Sequence, residues 1–169
     1  MKISLYIKIL FLLSASLFLT TSCEKKTVAK KIDHTKEIKR LIDKGKYYFD
    51  TFKNDSAIYC FDKAISLCRP VENYIDDYVY SLTLKANIFQ NNGDYYGSEE
   101  EITKTLPYLE KTSKPKFKYN VYTIIAYNYL PNYDYKNALL YHQKALKLAD
   151  SPFKKSIITA DIAILYLNQ

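Results

Sequence analysis

The side chains best suited to chemistry in this 169-residue sequence are three cysteines and two histidines, and their spacing decides what they could do. A zinc site gathers such ligands through short Cys-x-x-Cys or His-x-x-x-His intervals. Cys23, Cys60, Cys68, His34 and His142 show no such interval. Cys60 and Cys68 lie eight residues apart in one helical pattern, which separates their Cα atoms by about 12 Å along the axis. A disulfide tolerates at most about 7 Å, so both are expected to be buried free thiols on an apolar stripe. His142 takes a core-type position and is expected to pack rather than to act as a base. Gly93 and Gly97 belong to a turn and the helix after it, not to a phosphate-binding loop. The run Glu99-Glu100-Glu101 reads as a solvated first helical turn, where negative charge suits the helix dipole. No convergent set of polar groups emerges, so no enzyme, cofactor, metal or small-molecule substrate is expected.

Cys23 stands in a different context. Lys2 and Lys8 give a positive start, Ile9 to Leu19 is an apolar run of eleven, and Thr20-Thr21-Ser22 lead into the cysteine. Eleven helical residues span about 16 Å, half the apolar thickness of a bilayer, which suits a signal peptide rather than a spanning helix. The residues before Cys23 resemble the lipobox of bacterial lipoproteins, in which Leu, a small residue and Gly, Ala or Ser precede the cysteine. Thr21 and Ser22 match, while Thr20 stands where Leu is usual and Leu19 lies one place earlier. The resemblance implies that residues 1–22 are removed and that Cys23 becomes a lipidated N-terminus. The chain would then be tethered to a membrane of the bacterial cell envelope, in a leaflet the sequence does not specify.

The net charge of +7 is unevenly placed. From Glu24 to Lys46 there are nine Lys or Arg against four Asp or Glu, whereas from Tyr47 to Gln169 there are fourteen of each. The basic surplus therefore sits in the segment next to the expected anchor, where an anionic lipid surface attracts it at roughly 1 kcal/mol per charge. A neutral body offers no basic groove, and no nucleic-acid partner is expected.

The elements that would position these groups follow one pattern written three and a half times. Gly45, Ala57 and Ala64 are separated by 12 and 7 residues, as are Ala86, Ser98 and Thr105, and again Ala126, Ala138 and Ala145. An aromatic follows the first member of each set by three: Tyr48, Phe89 and Tyr129, with a fourth start at Ala163 and Tyr166. Within the first set, Ile38, Leu41, Ile42, Gly45, Tyr48, Phe49 and Phe52 form a helical stripe. Ala57, Ile58, Phe61, Ala64, Ile65 and Cys68 form a second. Breakers at Lys53-Asn54-Asp55, Asn91 to Asp94 and Pro131 to Asp134 separate the stripes. Ser151 is placed to cap a helix that has Pro152 at its first position. Helices are predicted near 35–52, 55–68, 72–91, 95–110, 116–131, 134–149 and 152–168.

This spacing resembles the tetratricopeptide repeat, whose pattern puts small residues at its eighth, twentieth and twenty-seventh positions and an aromatic at its eleventh. Leu41, Leu82 and Tyr122 take the fourth position, and Phe61, Ile102 and His142 the twenty-fourth. The resemblance implies an all-α fold, a right-handed superhelical stack of helix-turn-helix units. The organisation is a signal peptide over 1–22, a basic linker over 23–36 and a repeat domain over 37–169. Its units fall near 38–71, 79–112 and 119–152, with a partial one over 156–169. Unit starts recur at intervals of 41, 40 and 37 residues, longer than the family's usual 34.

Members of this family commonly bind partners on a concave face lined by the first helix of each unit. The matching positions here are Lys39, Ile42, Lys46 and Phe49; then Tyr80, Thr83, Asn87 and Gln90; then Asn120, Thr123, Tyr127 and Leu130. Such a surface of hydroxyls, amides and tyrosines, with lysines at one end, suits a peptide or short helix of a protein partner. The last helix carries Ile157, Ile158, Ile162, Ile164, Leu165 and Leu167 around much of its circumference. A terminal repeat needs a polar outer face, so either more chain follows or copies self-associate there. The expected function is a lipid-anchored protein-interaction module. The alternative is the N-terminal sensory part of a longer signalling or transcriptional regulator. A nutrient-capturing lipoprotein on a helical-repeat scaffold would need ligand-binding segments that are not found here.

Overall fold

The computed structural model describes residues 33–168. The signal segment, Cys23 and most of the basic linker lie outside the described residues. Eight α-helices and no strand occur among those described. They are α1 (Thr35–Asp50), α2 (Asn54–Leu67), α3 (Ile75–Asn91), α4 (Tyr95–Thr103), α5 (Leu106–Leu109), α6 (Pro115–Asn128), α7 (Tyr135–Leu148) and α8 (Pro152–Leu167). Short 3-10 turns at Val71–Asn73 and Leu130–Asn132 precede α3 and follow α6. Helices pair as hairpins, α1 with α2, α3 with α4 and α6 with α7. Each hairpin packs on the next, and α8 closes the row against α7.

The nine small residues explain this packing. All are buried, and eight of them, every one with a side chain, are 0% exposed. A Cβ on Gly45 would lie 2.5 Å from Cε1 of Phe61 on α2, so only glycine fits there without displacing the ring. Around them sit Ile38, Leu41 and Leu82 in one cluster and Ile102, Phe117 and Val121 in the next, with Ile158 of α8 completing a third. Burial of such side chains stabilises the fold by about 1.5–3 kcal/mol each.

Several helix ends differ from expectation for identifiable reasons. The predicted helix over 95–110 is two, because Pro107 has no N–H to continue the ladder and its ring disfavours helical geometry before it. Thr105 turns its hydroxyl back to the carbonyl of Ile102 at the break. Pro131 likewise ends α6 early, and Tyr133 then adopts φ 55° in the left-handed region. Phe52, assigned to the buried stripe of the first helix, is 92% exposed. The helix stops at Asp50, and Phe52 takes φ 58°, which swings its ring off the stripe. Asp94, Asp134 and Ser151 cap α4, α7 and α8 by accepting from the backbone N–H three residues on. Cys60 and Cys68 are buried free thiols, and burial pushes the Cys68 thiol up to about 12.

Candidate functional site

The first helices of the three hairpins lie side by side, α1 against α3 and α3 against α6, and so bring eleven of the twelve predicted groove positions onto neighbouring helices, Leu130 falling in the 3-10 turn after α6. Within the helical backbone their polar ends divide into two kinds. Hydroxyls turn inward. Thr83 donates to the carbonyl of Val79 at 2.7 Å, and Thr123 donates to that of Tyr119 at 2.9 Å. Both bonds run to the preceding helical turn, a common outlet for a mid-helix threonine.

Tyrosines and the glutamine tie helices to one another. Tyr80 stacks on Phe117 of α6 with centroids 4.7 Å apart. Gln90 donates from Nε2 to the carbonyl of Ile124 at 3.0 Å and to Oδ1 of Asn128 at 2.6 Å. Asn128 in turn donates to the hydroxyl of buried Ser98 at 3.0 Å. Tyr127 donates its hydroxyl to Oδ2 of Asp161 on α8 at 2.6 Å. Burial, then the bond to Asp161, raises the Tyr127 phenol far above its ordinary range.

Five groove positions keep polar ends that make no hydrogen bond among the described residues: the half-buried Tyr80 hydroxyl and four others. Lys39 and Lys46 are exposed, and Asn87 and Asn120 are half-buried. Ile42 is buried, while Phe49 and Leu130 are half-buried beside them.

Sequence reasoning missed an ion bridge in the middle of the stack. Lys85 of α3 reaches Oδ1 of Asp62 on α2 at 2.7 Å and Oε1 of Glu101 on α4 at 3.0 Å. Glu101 also receives Lys104 at 3.1 Å. The Lys85 side chain is only 13% exposed. Burial pulls its ammonium down, but hydrogen bonds to Asp62 and Glu101 outweigh that and hold it above its ordinary value. The carboxylate run is therefore not wholly solvated: Glu101 is buried, because α4 begins at Tyr95 and turns that residue inward. The available signal was a lysine inside the run Leu82-Thr83-Leu84-Lys85-Ala86, where a solvated charge would be out of place. Asp76, also missed, accepts from Thr112 and from both the N–H and hydroxyl of Ser113, fixing the connector after α5 to the start of α3.

His142 occupies the core as expected and is fully buried on α7. Its ring meets Tyr127 edge-on at 5.2 Å, and neither nitrogen finds a hydrogen-bond partner. Burial lowers its pKa, with Asp161 opposing. No group of His, Cys, Asp or Glu able to hold a metal occurs among the described residues.

No family profile matches the chain. No curated protein matches it in sequence. Among solved structures it is similar to the one described as the first TPR of Spaghetti (RPAP3) bound to the HSP90 peptide SRMEEVD. The TM-score is 0.62 at 17% identity, over 80% of this chain and 94% of that one. A likeness at that identity shows the fold, and the described residues form a tetratricopeptide-like stack of helical hairpins.

Proposed function

We propose that this chain is a binding scaffold that holds a protein or peptide partner on the face of its first helices, at a bacterial cell envelope. The observation that carries the reading is the face itself. Lys39, Lys46, Asn87 and Asn120 offer polar ends that make no hydrogen bond or ion pair among the described residues, beside the buried Ile42, although Lys39 also acts electrostatically on Asp77. Amides can bond the backbone of an extended peptide, and half-buried aromatic rings supply contact area. The similar solved structure holds a peptide on the same fold, which supports the reading. Thr83, Gln90, Thr123 and Tyr127 shape the wall of this groove rather than bond the partner, since their polar atoms already serve the stack.

The tether rests on Cys23, a lipid on which would leave the basic linker against the membrane surface. No helix among the described residues is long and apolar enough to cross a membrane. Self-association through the outer face of α8 is a further element of this proposal, supported by Ile164 and Leu167, which are exposed there.

Two experiments test it. Crosslinking pull-downs with the full chain should lose their specific partners in the variant carrying Lys46→Glu, Asn87→Ala and Asn120→Ala, whose fold is checked by circular dichroism. An unchanged partner list would reduce this face to a solvated surface. Replacing Cys23→Ser should abolish metabolic labelling by a fatty-acid analogue, and label that persists would place the attachment elsewhere.

A further inference from the structure

A cavity of about 190 Å³ opens between the second and third hairpins; none of its lining residues is assigned to the groove, although Asn128 in its wall accepts a hydrogen bond from Gln90. Ile102 and Leu106 give it an apolar floor, Tyr129 and Tyr141 a wall, and Glu99 and Asp134 a pair of carboxylates. The two rings stack with centroids 5.9 Å apart. No lysine or arginine lines the cavity. Glu99 is exposed and makes no ion pair or side-chain hydrogen bond among the described residues. Asp134 accepts from the backbone N–H and the side chain of Asn137, which keep it below the usual carboxylate range and therefore charged.

These surroundings ask for a cation with a flat face. An aromatic wall attracts cations through its quadrupole, and Tyr141 already holds one. Lys144, which does not line the cavity, lies 4.4 Å from the Tyr141 centroid. Tyr129 carries no cation among the described residues. A guanidinium fits better than an ammonium, because it is planar, stacks on aromatic rings and is less strongly hydrated. Size agrees as well: a cavity of about 150 Å³ accommodates benzene, so this one has room for a guanidinium and part of its alkyl stem. We propose that the cavity receives an arginine side chain of a protein partner, anchoring it at a second point independent of the groove.

The test follows tyrosine ring signals by NMR in the full chain, kept in a mild detergent, as blocked amino acids are added. N-acetyl-arginine amide should shift the Tyr129 and Tyr141 signals saturably. N-acetyl-citrulline amide, of nearly the same shape without the charge, should bind about tenfold more weakly or worse. Glu99→Gln should weaken the arginine ligand about tenfold, while Glu100→Gln, one residue along and exposed, leaves it unchanged. Equal binding of citrulline, or equal loss in both variants, would overturn the site. A blocked Gly-Arg-Gly peptide should bind at least as well as free arginine. Tighter binding of the free amino acid would make the cavity a small-molecule site and overturn the assignment to a protein partner. The Lys46, Asn87 and Asn120 variants should leave every one of these shifts intact, so the groove and the cavity can fail separately.

Discussion

Two seams of the stack are built alike and filled with opposite chemistry. In the first, α3 brings the charge of Lys85 to the preceding hairpin, where Asp62 meets it, and its own partner helix adds Glu101. In the last, α8 brings the charge of Asp161 to the preceding hairpin, where it meets the Tyr127 hydroxyl beside an imidazole with no partner. The first arrangement compensates a buried charge with opposite charges. The second leaves two buried nitrogens of His142 unsatisfied, each a standing cost. Repeating one backbone unit thus does not repeat its energetics.

Removing one member of the first seam should have the largest effect. Lys85→Met leaves Glu101 buried with Lys104 alone, and the chain should lose about 3 kcal/mol in chemical denaturation. A loss below about 1 kcal/mol would mean that solvent already screens the bridge. Next in size, Tyr127→Phe removes a hydrogen bond to a charged acceptor and should cost about 1.5 kcal/mol. Hydrogen exchange should locate that loss in α8, with the amides of α1 and α2 unaffected; a uniform rise would erase the distinction between the seams.

The smallest effect is one of pH. Because the folded state lowers the pKa of His142, the unfolded chain takes up a proton first as pH falls below about 6.5. The stability associated with a neutral ring is therefore present above that pH and is lost as pH falls toward the folded value. Between pH 7.5 and 5.5 the loss should be about 1 kcal/mol, and His142→Leu should remove that slope without loss of stability at pH 7.5. A slope unchanged in the variant would show that the His142 ring is not its source.

What the sequence revealed and what it hid follow from the range of the forces involved. Small residues at 12 and 7 mark helix contacts because backbone approach is limited by local side-chain size, and that limit repeats with the unit. The burial of Ala57, Ser98, Thr105 and Ala138 is legible for this reason. Lys85 is different. Its partners lie 23 and 16 residues away on two other helices, and no periodicity links them. The first-helix positions were legible, but what their polar atoms bond was not. Spacing puts Gln90 and Tyr127 on the first-helix face, whereas only the neighbouring helices reveal that Ile124, Asn128 and Asp161 take up their polar atoms. Pro107 did carry a readable signal, and the break between α4 and α5 is the one a mid-helix proline imposes.

The nine small positions set a tolerance rather than an identity. Glycine, alanine, serine and threonine all serve, because what matters at each is an upper limit on volume, and a hydroxyl is acceptable where it finds a carbonyl or an amide nearby. A specification of that kind contains little information per site and survives extensive rewriting elsewhere. It makes intelligible how a chain sharing 17% of its residues with another can keep the same architecture. It also makes the hairpins behave as interchangeable parts cut to a common gauge, so that a recombined chain keeping the gauge should assemble whichever faces it displays.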